Sequence, residues 1–323
     1  MTLRRPLTLA CWLLASSPAW AAGALDTRLA ELALESGGTL GVVVRHVESG
    51  RTWEMNARGR FPMASVFKLP IAVAVLHEVE AGKLDLDESL EIPRGFVRPV
   101  GSIERDWKPG MKLPVRDVVR RMLVESDNTA ADLFIAKLGG PAAVTKILKG
   151  LSILDVDISL AELDVFLLSS GAGPAPADGL CDPACIDARI AKVPQAERAK
   201  ANAAFGFDER NTATPDALAT LLTRLVKGDL LNDANRQWLL ATLRANETGG
   251  RRLRALLPKG TVVGDKTGSH RGVATNDVGI VTLPGGKGHL VIAAFVKNSG
   301  KPTEVTEKVL AGVGKAAWDE LVR

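Results

Sequence analysis

The sequence predicts a mixed α/β fold of the α+β kind, in which both chain ends build one antiparallel sheet flanked by helices while the middle of the chain builds an all-helical lobe. Three observations predict it. Apolar and β-branched runs bounded by turn residues lie near both ends, at 39–55 and 261–296. The stretch from 61 to 211 is dominated by apolar residues at helical spacing, and the closing stretch from Val305 to Leu321 reads as a further helix.

In chain order, Arg4-Arg5, an apolar run from Leu7 to Ala15 and the small-x-small Ala19-Trp20-Ala21 read as a secretory signal peptide, cut after Ala21 or Ala22. Cys11 follows too short an apolar run for lipidation, and no later segment approaches the ~20 continuous apolar residues of a membrane span. The expected mature chain, 22–323, is a monomer exported to the periplasm without a stable membrane anchor. It is read as two lobes, 22–60 with 212–323, and 61–211. Removing 1–21 takes away two arginines and no acid, so the formal charge falls from +4 to +2. That balance, with no basic run interleaved with aromatics, argues against nucleic acid as a partner.

Leu25 to Leu34 carries helical spacing and is stopped by Ser36-Gly37-Gly38. Thr39 to Val47 and Arg51 to Met55 read as a hairpin around Glu48-Ser49-Gly50. A long apolar helix follows from about Ala64 to Gly82, with Pro70 in its first turns removing an amide donor, so a local departure from α geometry is expected at Val66. Val115 to Leu123 and Thr129 to Leu138 read as helices bracketing a turn at Ser126-Asp127-Asn128, and Thr261 to Gly268, Asp277 to Leu283 and His289 to Val296 read as strands.

The opening of the Ala64 helix carries chemistry. Ser65 and Lys68 are three residues apart, nearly one helical turn, which puts the amine within reach of the hydroxyl. An alcohol becomes a useful nucleophile only when an adjacent group accepts its proton, and a desolvated lysine can do this without histidine. The histidines offer no metal-ligand spacing, and no cofactor is called for. Ser126 and Asn128, two apart in the turn, are expected to face the same pocket while Asp127 ties the turn down. Lys266 supplies a fixed positive charge for a substrate carboxylate, and Gly268, lacking a side chain, would let a substrate lie along the strand edge.

Ser65-x-x-Lys68, Ser126-Asp127-Asn128 and Lys266-Thr267-Gly268, in this order, form an established signature of class A β-lactamases and penicillin-binding proteins. The resemblance extends over Met63 to Leu76, Val124 to Leu133, Asp208 to Pro215 and Leu257 to Ile280, nearly all of the mature chain, and the chain resembles the class A serine β-lactamases. The Ala274-Thr275-Asn276-Asp277 run is most similar to the branch that includes extended-spectrum enzymes. The resemblance implies β-lactam antibiotics as substrates, Ser65 as nucleophile, Lys68, Ser126 and Glu162 as further catalytic residues, and Asn128, Lys266, Thr267, Gly268 and Ser269 as substrate-binding residues. It also implies an oxyanion hole made of the Ser65 and Ser269 amides.

Glu162 lies 36 residues beyond Ser126, and Glu197, Glu209 and Glu247 are the only other glutamates between Ser126 and Lys266. Around it the sequence departs from the family. Phe166 stands where the family has an asparagine that helps hold the hydrolytic water, Leu160 stands for an arginine, and Asn211 stands for that arginine's aspartate partner across the loop neck. A long insertion, about 163–207, follows; it holds a flexible-looking Ser169 to Pro176, a charged helical stretch from Asp187 to Ala204, and Cys181 and Cys185, which are either a local disulfide or two free thiols. Three functions stay open on the sequence: a serine β-lactamase, a penicillin-binding or D-alanyl-D-alanine peptidase-like protein that deacylates slowly, and a non-catalytic binding module on the same fold. The chain has no tyrosine, which excludes related families that use Tyr-x-Asn.

Overall fold

The structure, a computed structural model, describes residues 23–322. The signal peptide read in residues 1–21 lies outside them. One five-stranded antiparallel sheet contains β1 (Thr39–His46), β2 (Thr52–Met55), β3 (Val263–His270), β4 (Ala274–Thr282) and β5 (His289–Lys297) in the order β2-β1-β5-β4-β3. The hairpin from one end of the sequence thus zips onto the last strand from the other. Its register, Val42 opposite Ala294 and Val44 opposite Ile292, follows from burial on both faces.

In β5, Leu290, Ile292, Ala294 and Val296 point into one apolar cluster while Val291, Ala293 and Phe295 point into the other. Side chains alternate along a strand, so a sheet covered on both sides reads as a continuous apolar run. Each such aliphatic side chain contributes ~1.5–3 kcal/mol relative to exposure, and a one-residue slip would exchange the two sets.

One face of the sheet is covered by α1 (Ala24–Ser36) and the final helix. The other faces the core built by the helices α2 (Lys68–Glu80), α3 (Val115–Val124), α4 (Asn128–Lys137), α5 (Pro141–Gly150), α9 (Pro215–Lys227) and α10 (Asp233–Arg244), while α6 (Glu162–Ser169) and α7 (Pro183–Ile190) form a small cluster of their own, with α8 (Gln195–Phe205) beside α6; the closing helix is α11 (Thr303–Val322). α2 is buried on all sides from Lys68 to Leu76, the signature of a central rather than a surface helix. The charged stretch read as one helix is two, α7 and α8, because Val193-Pro194 interrupts it and Pro194 sits at the start of the second.

The family's loop glutamate here opens a helix, α6. The glycine-rich stretch behind α6 is tied down as well. Arg189 donates to the carbonyls of Ala172 and Pro174, and Cys181 and Cys185 are disulfide-bonded.

Candidate active site

Ser65 sits in a tight turn that three separate segments hold. Phe61–Pro62 pairs with Thr212–Ala213, and the Met63 amide donates to the Asn211 carbonyl at 2.9 Å. Ala64 then takes a left-handed φ of 45°, a conformation that costs an L-residue ~1–2 kcal/mol, and Ala64–Phe67 forms a 3₁₀ turn before α2 begins at Lys68. This is the departure from α geometry expected from Pro70. Buried Asn276 from β4 donates through Nδ2 to the carbonyls of Pro62 at 2.8 Å and Met63 at 2.9 Å, which fixes the turn against the sheet.

β3, the outer strand, passes directly beside it. A Cβ built on Gly268 would stand 2.4 Å from the Met63 carbonyl oxygen and 2.9 Å from the Val66 nitrogen. The sequence reading gave Gly268 to substrate access; the structure gives a different cause, that the backbone of the Ser65 turn occupies the place of a side chain.

Lys68, fully buried, is the hub of the polar network. Its Nζ lies 3.1 Å from Ser65 Oγ, 2.7 Å from the Ser126 carbonyl, 3.3 Å from Ser126 Oγ, 2.5 Å from Asn128 Oδ1 and 3.1 Å from Glu162 Oε1. An ammonium has three hydrogens, so these acceptors share them. Lys266, also fully buried, donates to Ser126 Oγ at 3.0 Å and to the Thr267 carbonyl at 2.9 Å. Burial, and next the positive charge of Lys68, hold the Lys266 ammonium well below the ordinary lysine range.

The Ser126 hydroxyl therefore stands between two lysines. The turn that puts it there is left-handed at Ser126, with φ 62°, rather than extended. Asp127 faces away as expected, accepting from the Ile103 amide at 2.8 Å and the Ala130 amide at 2.9 Å, and burial pushes its carboxyl up.

Glu162, 8% exposed, reaches this network because its helix is held at its first turn. Asp132 Oδ1 accepts the Glu162 amide at 2.6 Å and its Oδ2 the Leu163 amide at 3.2 Å, while Arg98 Nε donates to the same carboxylate at 2.6 Å. A carboxylate at a helix N-terminus satisfies orphan amides and complements the helix dipole.

The loop neck is closed by a neutral amide instead of the family's ion pair. Asn211 Oδ1 accepts the amides of Ser159 at 2.8 Å and Leu160 at 2.9 Å, and its Nδ2 donates to the Leu160 carbonyl at 2.9 Å. Leu160 takes part only through its backbone, so the loss of both charges together leaves the neck tied. Phe166 packs against the small apolar cluster of Leu163, Leu167, Cys181 and Ile186 and borders the site, so it holds no water by hydrogen bonding. Asp164 is engaged as a cap, accepting the Ala161 amide at 3.1 Å.

A cleft of about 300 Å³ opens over these groups, bordered by Ser65, Asn128, Glu162, Phe166, Asn202 and Arg271. Asn202 comes from the insertion. Its side chain bonds His270 Nε2 at 2.8 Å and the Arg271 carbonyl at 3.0 Å, and Phe205 stacks on His270, so α8 bridges to the end of β3.

The sequence reading missed Arg252. Its guanidinium, buried, bonds the carbonyls of Gly268 at 3.0 Å and Asn276 at 2.8 Å and the Ser269 hydroxyl at 2.5 Å. Nothing local in Gly250-Arg251-Arg252-Leu253 distinguishes it from an exposed arginine. Asp132 was legible in principle, since it follows Asn128 by four residues on one helix and shares its face. Among the described residues no group of three or more His, Cys, Asp or Glu is arranged to hold a metal ion, and no helix is long and apolar enough to cross a membrane.

Gly268→Ala is expected to displace the Ser65 turn, because the 2.4 Å approach is to backbone that has no rotamer to change. The rate of covalent labelling at Ser65 should fall by about a hundredfold or more, as expected for misplacing a nucleophile by ~1 Å, with only a modest loss of melting temperature. Labelling at the wild-type rate would contradict this account of the glycine.

Three comparisons bear on identity. The family profile described as "Beta-lactamase enzyme family" matches residues 24–321. Beta-lactamase L2 of Stenotrophomonas maltophilia is 32% identical over 95% of this chain and 89% of its own length, and Beta-lactamase VEB-1 of Pseudomonas aeruginosa is 29% identical over 87% and 84%. Among solved structures, an ancestral class A β-lactamase superposes with a TM-score of 0.75 at 31% identity, covering 92% of this chain and 99% of that one, and a β-lactamase from Chitinophaga pinensis does so with 0.76 at 30% identity over 92% and 99%. Agreement in sequence and in fold over nearly the whole described chain means that this protein belongs to the β-lactamase enzyme family.

Proposed function

We propose that the protein is a serine β-lactamase which opens the lactam amide through an acyl-enzyme on Ser65 and releases it by hydrolysis. The observation that carries this reading is the position of Lys68 Nζ, 3.1 Å from Ser65 Oγ and 3.1 Å from Glu162 Oε1. Moving one proton from the Lys68 ammonium to the Glu162 carboxylate leaves a free amine beside the serine. That amine accepts the Ser65 proton as Oγ bonds to the lactam carbonyl carbon.

The oxyanion that forms is assigned to the Ser65 and Ser269 amides. Collapse breaks the lactam C–N bond, and the leaving nitrogen takes the Ser126 hydroxyl proton, which Lys68 or Lys266 replaces. Glu162 returns its proton through Lys68 and is a carboxylate again, then draws a proton from a water whose oxygen bonds to the ester carbonyl carbon; collapse breaks the bond to Ser65 Oγ, which takes its proton back through Lys68. Its proximity to the nucleophile, on a helix end held by Asp132, favours hydrolysis over the peptidase-like reading in which the acyl-enzyme persists. The complete catalytic set likewise disfavours the binding-module reading.

Lys266 and the Thr267 hydroxyl are assigned to the substrate carboxylate, with Arg252, ion-paired to buried Glu307 at 3.3 Å, holding the Ser269 hydroxyl in place; exposed Arg271 stays at the rim. Asn128 and the Gly268–Ser269 edge are assigned to the acyl-amide side. The remaining assignments are the substrates as β-lactam antibiotics, a monomer, and the two lobes 22–60 with 212–323 and 61–211. Periplasmic export rests on the leader pattern and agrees with a disulfide, which an oxidising compartment preserves.

Two tests follow. Ser65→Ala should show no mass adduct with a penicillin, and Glu162→Gln, which can neither take the Lys68 proton nor activate the water, should acylate more slowly and then stall, giving one equivalent of product and a persistent adduct in intact-mass measurement. Turnover by Glu162→Gln at the wild-type rate would remove Glu162 from deacylation.

The second test uses pH. The folded Lys266 value is depressed, so its charge is lost as pH rises through that value, well before an ordinary lysine titrates near ~10.4. The kcat/KM for carboxylate-bearing lactams should show an early alkaline limb that Lys266→Arg moves upward. Folding stability has the opposite sign: between the depressed and the ordinary value the unfolded chain binds more protons, so this group makes stability rise with pH. An alkaline limb that Lys266→Arg leaves in place would contradict the assignment.

A further inference from the structure

Arg98, 1% exposed, is shared between the Glu162 anchor and the insertion. Its Nε donates to Asp132, whose carboxylate holds the Glu162 and Leu163 amides. Its Nη1 donates to the carbonyls of Gly95 at 2.7 Å and Cys181 at 3.1 Å, and its Nη2 to the Gly179 carbonyl at 2.8 Å. A guanidinium is a planar fork, so the carbonyls at one end set the plane in which the other end meets its carboxylate.

Packing alone does not fix those carbonyls. A cavity of about 390 Å³ lies alongside, bordered by Phe96, Asp132, Leu163, Pro176 and Gly179. Cys181 packs with Leu163 and Leu167 of α6, and its backbone is set further by its amide hydrogen bond to the Gly95 carbonyl at 2.9 Å and by the bridge to Cys185 in the first turn of α7, the helix whose Ile186 joins the same cluster.

We infer that the Cys181–Cys185 bridge, through the Cys181 carbonyl, Arg98 and Asp132, positions the Glu162 carboxylate over the water that attacks the acyl-enzyme, so that the bonded insertion sets deacylation more than acylation, which needs Glu162 only as an acceptor beside Lys68. The inference rests on the reading of Glu162 given under Proposed function. Neither cysteine nor Arg98 touches substrate; they are positioning residues.

The test is the full exported chain carrying Cys181→Ala with Cys185→Ala, reacted with a penicillin. Acylation is followed by stopped flow, and decay of the acyl-enzyme by intact mass. The closed loop is too short for much chain-entropy stabilisation, so the melting temperature should hardly move. Deacylation should slow by about tenfold, short of the ~100-fold that a 1 Å misplacement costs, while acylation changes by much less.

Arg98→Lys, which keeps a cation beside Asp132 but not the fork, should slow deacylation in the same selective way. Deacylation at the wild-type rate in the double cysteine variant overturns the inference, as does a parallel loss of acylation, deacylation and melting temperature. If Glu162→Gln stalls while the cysteine variant does not, only the positioning role falls. If Glu162→Gln turns over normally, the reading of Glu162 falls first.

Discussion

Everything in the site depends on keeping the Lys68 nitrogen out of water and still provided with acceptors. Burying an unpaired ammonium is prohibitive, and even a buried pair recovers its desolvation cost only when the remaining protons find good partners. Lys68 meets that condition because acceptors from three places converge on it: Ser65 from its own turn, Ser126 from the turn before α4 with Asn128 at that helix's first residue, and Glu162 from the start of α6. The surroundings can be read as the means of bringing those segments to one atom. Asn276 and Gly268 hold the serine turn on the sheet, Asp127 ties down the left-handed turn at Ser126, and Asp132 with Asn211 holds the neck and first turn of the Glu162 helix.

The same constraint explains why the departures from the family pattern are tolerated. A charged pair across the loop neck is one way to close it. An amide whose oxygen accepts two backbone N–H groups and whose nitrogen donates to a backbone carbonyl closes it with no charge to desolvate. Phe166 exchanges a polar contact for apolar packing against the insertion's own cluster at the border of the cleft.

The sequence disclosed the parts whose chemistry depends on residue type at short spacing. Ser65 with Lys68, and Ser126 with Asn128, are pairs within one turn, and the β-branched run Val42-Val43-Val44 reads as part of a strand. It disclosed far less where a contact joins distant residues or uses the backbone alone. Arg98 meets Asp132 and the Cys181 carbonyl only once the fold has brought 95–98 beside α4 and the insertion, and no pattern near Arg98 announces it. Leu160 stands in the sequence as a missing arginine because side-chain identity is the only signal there, yet in the structure its amide and carbonyl tie the neck while its apolar side chain is buried. Gly268 reads in the sequence as a residue that must lack a side chain, and the structure adds a cause that a strand pattern does not contain, the backbone of the serine turn beside it.

The central claim is that a buried lysine couples the serine to a carboxylate that completes the catalytic cycle. A chromogenic cephalosporin assay on the wild-type protein, with substrate in large excess over enzyme, tests it most directly. The account predicts continuous hydrolysis of many equivalents per enzyme at a steady rate. A burst of one equivalent, followed by a stable acyl-enzyme and no further colour, would contradict it.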